Sequence, residues 1–406
     1  MHKQALTHKI LEKCLPGEHR RKKTAAKLSI IKSSINLAKN NLNEKDILKT
    51  IILKNKQIFL TSEDYQKTLF KKISKDLSRC INYQSPSRDE ITKNIKLLLS
   101  ENSPYKVYRY DIKSFFESFD DTDVRNAISS IPRLSPHNKK LINIILDKKV
   151  AQGGKGVPRG LPISIPLSEL MMQDFDKKIS ILANVFFYKR YVDDIIIITS
   201  GEESEEIIKN TVIELLPKGL ILNTEEIKNG FIDGTIIESD PKFKIQSIDY
   251  LGYRYIIKNG LNKKKTKREI NIEISEEKIN KIKKRICRSF LNFHKNKDFE
   301  LLQKRIKFLS SNFSIFDIES RLHKKVGIYH NYTLIDKDCQ SLDILDKFLQ
   351  EMVHSRKNRV NKSFPAFKSK QKFLLSELSF KKGHNEIIYT SFSIKKMSEI
   401  KKCWSY

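Results

Sequence analysis

Two adjacent aspartates, Asp193 and Asp194, lie within the run FYKRYVDDIIIIT at residues 187–199. Tyr191 and Val192 precede them and four isoleucines follow, so the acids separate two stretches of residues that favour strands. Side-by-side like charges at such a junction have two explanations. Aspartate often occupies hairpin turns, and paired carboxylates also bind metal ions that neutralise their charge. Other motifs in the chain must decide between a turn and a metal site.

A third aspartate, Asp111, comes at the end of the strand-like run VYRYDI, 82 positions before Asp193. Two-metal phosphoryl transfer needs carboxylates from separate strands that converge on ions about 4 Å apart. Neighbouring side chains of an extended chain point to opposite sides. Asp193 is therefore predicted to be a stronger ligand than Asp194, and the three acids together predict a phosphoryl-transfer site.

The segments between these acids have the order that a catalytic hairpin on a sheet requires. The strand at Asp111 is followed by two predicted helices over 122–150, separated at Pro132 and Pro136. A Gly/Pro-rich stretch follows at 153–162, then a helix that begins near Ser164. The hairpin over 186–199 comes next, followed by an acidic helical segment, LILN at 220–223 and a further strand pair that ends in YLGYRYIIKNGL at 250–261. The pattern predicts an α+β fold with an antiparallel sheet.

Composition indicates a globular chain with a polyanionic partner. The 406 residues are 39% hydrophobic, and 78 Lys+Arg against 48 Asp+Glu give a formal charge of +30. Nucleic acid is the leading candidate partner, and an anionic membrane surface is the weaker alternative. No apolar run approaches the ~20 residues that span a bilayer, and the N-terminus lacks the apolar segment of a signal peptide. We therefore expect a cytoplasmic location, with the five scattered cysteines as free thiols.

Taken in order, these motifs resemble those of reverse transcriptases. YVDD at 191–194 is similar to the catalytic hairpin of that family, and RYDIKSFFESFD at 109–120 is similar to its first catalytic strand. The resemblance implies a right-hand polymerase with fingers, palm and a helical basic thumb. It implies Asp111, Asp193 and Asp194 as catalytic residues that bind two Mg²⁺ ions, with Mn²⁺ as an alternative and Ile112 in the ligand set.

The same resemblance implies nucleotide-binding residues. Phe116 occupies the position of the steric gate, where a bulky ring excludes a ribose 2′-hydroxyl, although it could equally be an ordinary core aromatic. GVPRGLPIS at 156–164 is similar to the Gly/Pro loop that supports the templating base, except that most retroviral and intron members have Gln where this chain has Arg159. The implied nucleotide-binding residues are Lys106, Arg109, Phe115, Phe116, Arg159, Gly160 and Ser164. For Lys106 and Arg109, plain surface charge is the alternative.

Two downstream segments complete the resemblance. YLGY, residues Tyr250, Leu251, Gly252 and Tyr253, is similar to the primer-grip hairpin, with ordinary strand packing as the alternative. The family often has a lysine after the catalytic hairpin that protonates pyrophosphate. Glu226 stands at that spacing here, and Lys228 is the nearest candidate for the general acid.

The resemblance divides the chain into three segments. Residues 1–84 form a basic helical N-terminal region, 85–260 the fingers and palm, and 261–406 a helical thumb and C-terminal extension. KKTKR at 264–268 and KIKKRICR at 281–288 are the densest basic clusters, and either can be a contact to a nucleic-acid backbone or a solvated face. SRKNR at 355–359 and Trp404 fit no domain that the sequence identifies.

PRGLPIS followed by LSE, together with YVDD, is most similar to the bacterial abortive-infection and defence-associated reverse transcriptases, with the type 3 defence system as a subgroup. This implies an RNA-directed DNA polymerase that uses dNTPs and a dedicated non-coding RNA and produces DNA. The implied partners include a companion defence protein or second reverse transcriptase and a further copy of the chain, but no membrane. The alternatives are a retron or intron-like enzyme, a template-independent or protein-primed polymerase, and a catalytically silent RNA-binding scaffold.

Overall fold

The computed structural model describes residues 4–19, 24–44, 47–262, 264–317, 322–355 and 367–404. The α-helices in these ranges are α1 His8–Glu12, α2 Thr24–Lys39, α3 Asp64–Cys80, α4 Arg88–Ser100, α5 Asp121–Ser129, α6 Pro136–Ala151, α7 Ser164–Ser180, α8 Glu205–Leu215, α9 Glu276–Asn296, α10 Phe299–Ser310, α11 Ile328–Asn331, α12 Gln340–His354, α13 Ser369–Ser376, α14 Phe380–Asn385 and α15 Ile394–Lys401. Short 3₁₀ turns lie at Gly17–His19, Glu226–Lys228 and Lys402–Trp404.

The strands are β1 Lys49–Leu53, β2 Lys56–Leu60, β3 Lys106–Asp111, β4 Val185–Tyr191, β5 Asp194–Thr199, β6 Gly230–Asp233, β7 Gln246–Tyr250, β8 Tyr253–Ile257, β9 Ile270–Ile274, β10 Asn312–Asp317 and β11 Leu322–Gly327. They confirm the predicted α+β class with antiparallel sheets. The chain forms two compact units. The first comprises Met1–Ser87 and Pro104–Thr235, and the second Arg88–Ser103 and Ile236–Tyr406.

The first unit is built around an antiparallel sheet with the strand order β4-β5-β3-β6. In this sheet β5 lies between β4 and β3, and all four of its isoleucines, Ile195 to Ile198, are buried. A central strand covered on both faces needs apolar side chains at every position, which accounts for the uninterrupted isoleucine run. The register pairs Asp111 with Asp194, so the acids meet at one end of the sheet.

Helix caps between the predicted catalytic strands confirm the helix boundaries expected from the sequence. The Asp120 side chain accepts hydrogen bonds from the backbone N–H groups of Thr122 and Asp123 at 2.9 and 3.1 Å and begins α5. Ser135 caps α6 in the same way, and Pro136 occupies the first turn, where its missing N–H is not needed. The break at the two prolines therefore separates two independently capped helices.

The second unit contains the sheet β7-β8-β9 and a group of helices. Helix α9 buries Ile279, Ile282, Ile286 and Phe290, spaced three or four residues apart, so it has one apolar face. This helix packs against α10 and α12. The amphipathic, basic helix expected after residue 261 is confirmed.

The sequence interpretation described residues 1–84 and 261–406 as helical and was wrong in placing no strands in them. Residues 49–60 form the hairpin β1–β2, whose turn residues Lys54 and Asn55 have φ of 50° and 60°. Such turns suit the twist of paired strands, and the apolar, partly β-branched stretch TIIL favours a strand over a helix. Strands β9, β10 and β11 were likewise missed. Of the basic segments, residues 20–23, 263 and 356–359 lie outside the described residues.

The division at residues 85 and 260 concerns functional segments and stays a prediction. All five cysteines are free thiols, as the sequence predicted. Among the described helices, none has the length and apolarity that crossing a membrane requires.

Candidate active site

The catalytic-hairpin candidate has its two acids at the turn between β4 and β5. Val192 and Asp193 connect the strands, and Val192 has a φ of 61°, which is rare for a β-branched residue. The backbone N–H of Ile112 donates to the Asp193 carbonyl at 3.0 Å. The turn is thereby attached to the end of β3. The structure confirms the turn, and the metal site at the same residues stays a prediction.

Asp111 is almost buried, with 7% of the residue exposed, and has two polar neighbours. The Asn223 amide Nδ2 donates to its Oδ2 at 3.0 Å, and the Asn223 backbone N–H donates to its carbonyl at 2.7 Å. The Lys228 ammonium lies 3.8 Å from Asp111 Oδ1. The structure therefore brings Lys228 to the acids, whereas Asn223 was missed. The sequence did contain an indication of Asn223: this amide ends the strand-like run LIL, as Asp111 ends the strand-like run VYRYD.

Asp194 is paired with Arg109. Both Nη2 and Nε of Arg109 donate to Asp194 Oδ1, at 2.9 and 3.3 Å. Arg109 and Asp111 lie two residues apart on β3 and so share a face of the sheet with Asp194, the cross-strand partner of Asp111. The arginine that the sequence assigned to the nucleotide thus binds one of the carboxylates in this structure.

The crowding of carboxylates changes the acidity of Asp193. Burial raises the pKa of Asp193, and the charges of Asp111 and Asp194 raise it further, while Lys228 opposes the change. Like charges at short range disfavour ionisation of each other. A cation bound at the turn would remove this penalty.

The oxygen ligands of this site suit a hard divalent cation, although the three carboxylates do not point to a common centre that would bind one. Carboxylate oxygens are the ligands that such cations prefer, and Asp111 and Asp193 would hold the ion. Within the described ranges, no group of three His, Cys, Asp or Glu side chains is arranged as a metal site. The ion pair with Arg109 explains this for Asp194, which would have to release the guanidinium before it could become a ligand.

Two phenylalanines predicted to contact a nucleotide have different environments. Phe115 is 1% exposed and packs edge-on against Phe116 and Phe119, so its side chain belongs to the core, and its nucleotide-binding role stays a prediction. Phe116 is 9% exposed, and the Arg159 guanidinium lies over its ring at 4.8 Å. Arg159 also binds both carboxylate oxygens of Glu117, at 2.6 and 3.0 Å.

The Gly/Pro loop before α7 is closely packed. At Gly160, where φ is 99°, a Cβ would lie 2.7 Å from the Phe59 carbonyl oxygen and 2.5 Å from Ile58, so only glycine fits. The buried Ser164 hydroxyl lies within hydrogen-bond distance of the carbonyls of Leu161 and Pro158 and donates its one hydrogen to this pair. Ser164 therefore closes the loop, and its hydroxyl is already engaged within the protein.

Lys106 lies at the opposite end of β3 from Asp111, and its ammonium donates to the Glu203 carbonyl. The structure does not bring Lys106 to the carboxylates.

The primer-grip candidate belongs to the second unit. Tyr250 and Tyr253 are buried strand residues, as the packing alternative predicted, and Leu251 and Gly252 form the turn with φ of 48° and 85°. Arg88 Nε donates to the Leu251 carbonyl at 2.9 Å, and its guanidinium lies over the ring of Tyr253 at 5.2 Å. The exposed part of this hairpin is its turn.

Comparisons with known proteins find similarity to one family model and to solved structures. The family described as reverse transcriptase (RNA-dependent DNA polymerase) matches residues 54–255. Apo telomerase from Candida tropicalis is 12% identical, with a TM-score of 0.40 over 88% of this chain and 64% of the telomerase chain. Telomerase from the same organism in complex with the TWJ fragment of telomeric RNA is 13% identical, with a TM-score of 0.37 over 88% of this chain and 63% of the other. The chain thus spans less than two thirds of these structures. No curated protein matches the sequence.

The raised pKa of Asp193 yields a test in metal-free protein. We expect Asp193→Asn to increase the melting temperature at neutral pH, by about 2–4 °C for each kcal/mol of repulsion removed. A carboxyl whose pKa is raised by folding destabilises the fold at pH values above that pKa, and this penalty disappears as the pH falls through it. The gain should therefore be largest at neutral pH and shrink as the pH is lowered towards the ordinary range of an aspartate, measured by thermal denaturation in EDTA. Asp174→Asn, at an exposed position on α7, is the control. A lower melting temperature for Asp193→Asn at every pH measured would contradict the interpretation.

Proposed function

We propose that the chain, whose residues 54–255 match the reverse transcriptase family, extends DNA on an RNA template at Asp111, Asp193 and Asp194. The observation that carries this assignment is the convergence of two strand ends. Asp111 and the 193–194 turn meet at the same end of the sheet, where Asn223 and Lys228 surround Asp111.

The residues have separable roles in this proposal. Mg²⁺, or Mn²⁺ in its place, lowers the pKa of the primer 3′-hydroxyl when bound and stabilises charge on the leaving pyrophosphate. Asp111 and Asp193 would hold the cations, and the amide of Asn223 fixes the orientation of the Asp111 carboxylate. Arg109 holds Asp194 in an ion pair, which Asp194 would have to leave in order to serve as a ligand. Lys228, whose ammonium is 3.8 Å from Asp111 Oδ1, donates a proton to pyrophosphate.

Replacement of the acids tests the assignment. We expect Asp111→Asn and Asp193→Asn to reduce Mg²⁺-dependent incorporation of labelled dNTPs by about a thousandfold, because several kcal/mol of charge stabilisation are lost. Asp174→Asn should retain wild-type activity. Equal incorporation by Asp193→Asn and wild type would remove Asp193 from the site. An inactive wild-type protein that still binds RNA would instead favour the scaffold alternative.

We propose in addition that Phe116 is the steric gate that selects deoxynucleotides. It retains some exposure, whereas its neighbour Phe115 is sealed in the core, and the Arg159 guanidinium over its ring limits its movement.

Substitution at the two phenylalanines separates gating from packing. Phe116→Ala should increase the use of rNTPs relative to dNTPs by at least about tenfold, because the ring no longer contacts the 2′-hydroxyl. Phe115→Ala removes the same atoms from the neighbouring core position and should leave the ratio unchanged. Ratios of kcat/KM for matched dNTP and rNTP pairs give the answer, and an unchanged ratio in Phe116→Ala would assign this ring to the core alone.

We propose that the enzyme acts in bacterial antiphage defence with a dedicated non-coding RNA as its template. The support is the resemblance of PRGLPIS, LSE and YVDD to the defence-associated group, together with a net charge of +30 that suits a bound RNA.

Expression in a phage-sensitive host tests this role. Wild-type protein, produced with its flanking non-coding sequence, should reduce plaque numbers by about a hundredfold or more, and Asp193→Asn, which lacks the proposed metal ligand, should not. Sequencing of the nucleic acid that co-purifies with the protein identifies the template and any covalent primer. Equal plaque numbers with and without the gene would exclude the defence role, and a product without a template would favour the template-independent alternative.

A further inference from the structure

Arg190 lies on β4, two residues before the left-handed Val192, and only 3% of its side chain is exposed. All five N–H groups of its guanidinium have an acceptor. Nε and Nη2 donate to Asp176 at 2.8 and 2.7 Å, and Nη1 and Nη2 donate to Glu169 at 3.1 and 2.8 Å. The remaining donor of Nη1 binds the Val192 carbonyl at 2.8 Å.

The two carboxylates that hold Arg190 come from one helix. Glu169 and Asp176 lie seven residues apart on α7, two helical turns, so both face the same side. The Tyr188 hydroxyl also donates to Asp176 and restricts that carboxylate further. A guanidinium held at four donors has no freedom to rotate, and its fifth donor is therefore aimed at a fixed point, the oxygen of Val192.

That oxygen belongs to the peptide group that connects Val192 to Asp193. The hydrogen bond from Arg190 therefore fixes the peptide plane on the N-terminal side of Asp193. On the other side, the Asp193 carbonyl accepts the N–H of Ile112 at 3.0 Å. Both peptide groups that flank Asp193 are thus restrained, one by α7 through Arg190 and one by β3.

The hydrogen bond from Arg190 restrains Val192 in a backbone conformation that valine disfavours. A valine at a φ of 61° is unfavourable because its branched side chain is close to its own backbone. Such a residue persists only where the surroundings hold it. Arg190 is the side chain bound to the oxygen of this residue.

We propose that Arg190 is a positioning residue, which keeps Val192 left-handed and thereby directs the Asp193 carboxylate towards Asp111. Its effect on catalysis rests on the proposed polymerase function, whereas its effect on the turn does not. The specific expectation is that glycine at position 192, which adopts a positive φ without steric conflict, makes the protein less dependent on Arg190.

A double-mutant cycle with Arg190→Lys and Val192→Gly tests this coupling by two independent measurements. Lysine keeps the charge beside Glu169 and Asp176 but cannot reproduce the planar, five-donor geometry. Hydrogen–deuterium exchange of the peptide that contains residues 191–194, measured in EDTA, reports the turn without any reference to activity. The apparent half-saturation for Mg²⁺ in primer extension reports the position of the carboxylate.

In Arg190→Lys we expect faster exchange at residues 191–194 and an increase of about ten- to hundredfold in the Mg²⁺ half-saturation, as small misplacements of reacting groups produce. Val192→Gly alone should change both measurements less than Arg190→Lys does. In the double variant, the logarithm of the fold increase in Mg²⁺ half-saturation should be smaller than in Arg190→Lys by at least about a third, because glycine accepts the turn conformation. Arg125→Lys, at an Arg–Asp pair elsewhere in the same unit, is the matched control and should leave both measurements unchanged.

Three outcomes would overturn the proposal. The first is wild-type exchange and Mg²⁺ dependence in Arg190→Lys. The second is a double variant no better than Arg190→Lys, which would make Arg190 a residue of general stability. The third is a Val192→Gly variant as impaired as Arg190→Lys. If Arg190→Lys does not fold, Glu169→Gln weakens the same anchor and is measured in its place. An inactive wild type would count against the polymerase function, while the exchange measurement would still decide the role of Arg190.

Discussion

The register of β3 against β5 is the constraint on which the candidate site depends. It places Asp111 opposite Asp194 and so brings the end of one strand beside the turn that carries Asp193. Side chains alternate between the faces of a sheet, so a slip of one residue would move Asp111 to the other face and replace Arg109 by Tyr108 or Tyr110. The four buried isoleucines of β5 are identical and do not distinguish one register from the next, whereas the Arg109–Asp194 ion pair and the hydrogen bond from the Ile112 N–H to the Asp193 carbonyl do. The core of the first unit and the geometry of its acids are therefore set by the same pairing.

Arginine fixes a hairpin turn in each of the two units. In the first, Arg190 donates to the carbonyl of Val192, and in the second, Arg88 donates to the carbonyl of Leu251, each of which is a non-glycine residue with positive φ. In both places the guanidinium is also held by other groups, by carboxylates at Arg190 and by the rings of Tyr253 and Tyr332 at Arg88. A planar side chain with several fixed donors can hold an unfavourable backbone conformation in a way that a single flexible ammonium cannot. Some of the basic residues that composition assigns to nucleic acid therefore act within the protein.

The sequence predicts the features that depend on neighbouring residues, but not the contacts between residues that are far apart in the chain. The strand at Asp111, the capped helices and the hairpin at Asp193 follow from local patterns, and the structure confirms them. The partners of Arg109, Lys106 and Phe115 could not be predicted, because they depend on which strand lies beside β3 and which helix covers it. Asn223 was missed for the same reason: the amide after the run LIL marks the end of a strand-like stretch, but it does not show that this end lies beside Asp111. The hairpin at residues 49–60 was missed because the surrounding helical periodicity concealed a short stretch with strand propensity.

The charges around the acids are balanced unevenly, and the imbalance has a functional meaning. Asp194 forms an ion pair with Arg109 and Asp111 lies beside Lys228, while Asp193 lies at the turn with a raised pKa that Lys228 offsets only in part. A protein that used this hairpin only as a structural turn would be more stable with a neutral residue at position 193. A carboxylate that is only partly compensated and is held between two restrained peptide groups suits a cation-binding site, because the ligand is oriented before the ion arrives. The raised pKa thus falls on a residue whose flanking peptide groups are both restrained, and this supports the proposal that Asp193, rather than Asp194, is the stronger cation ligand.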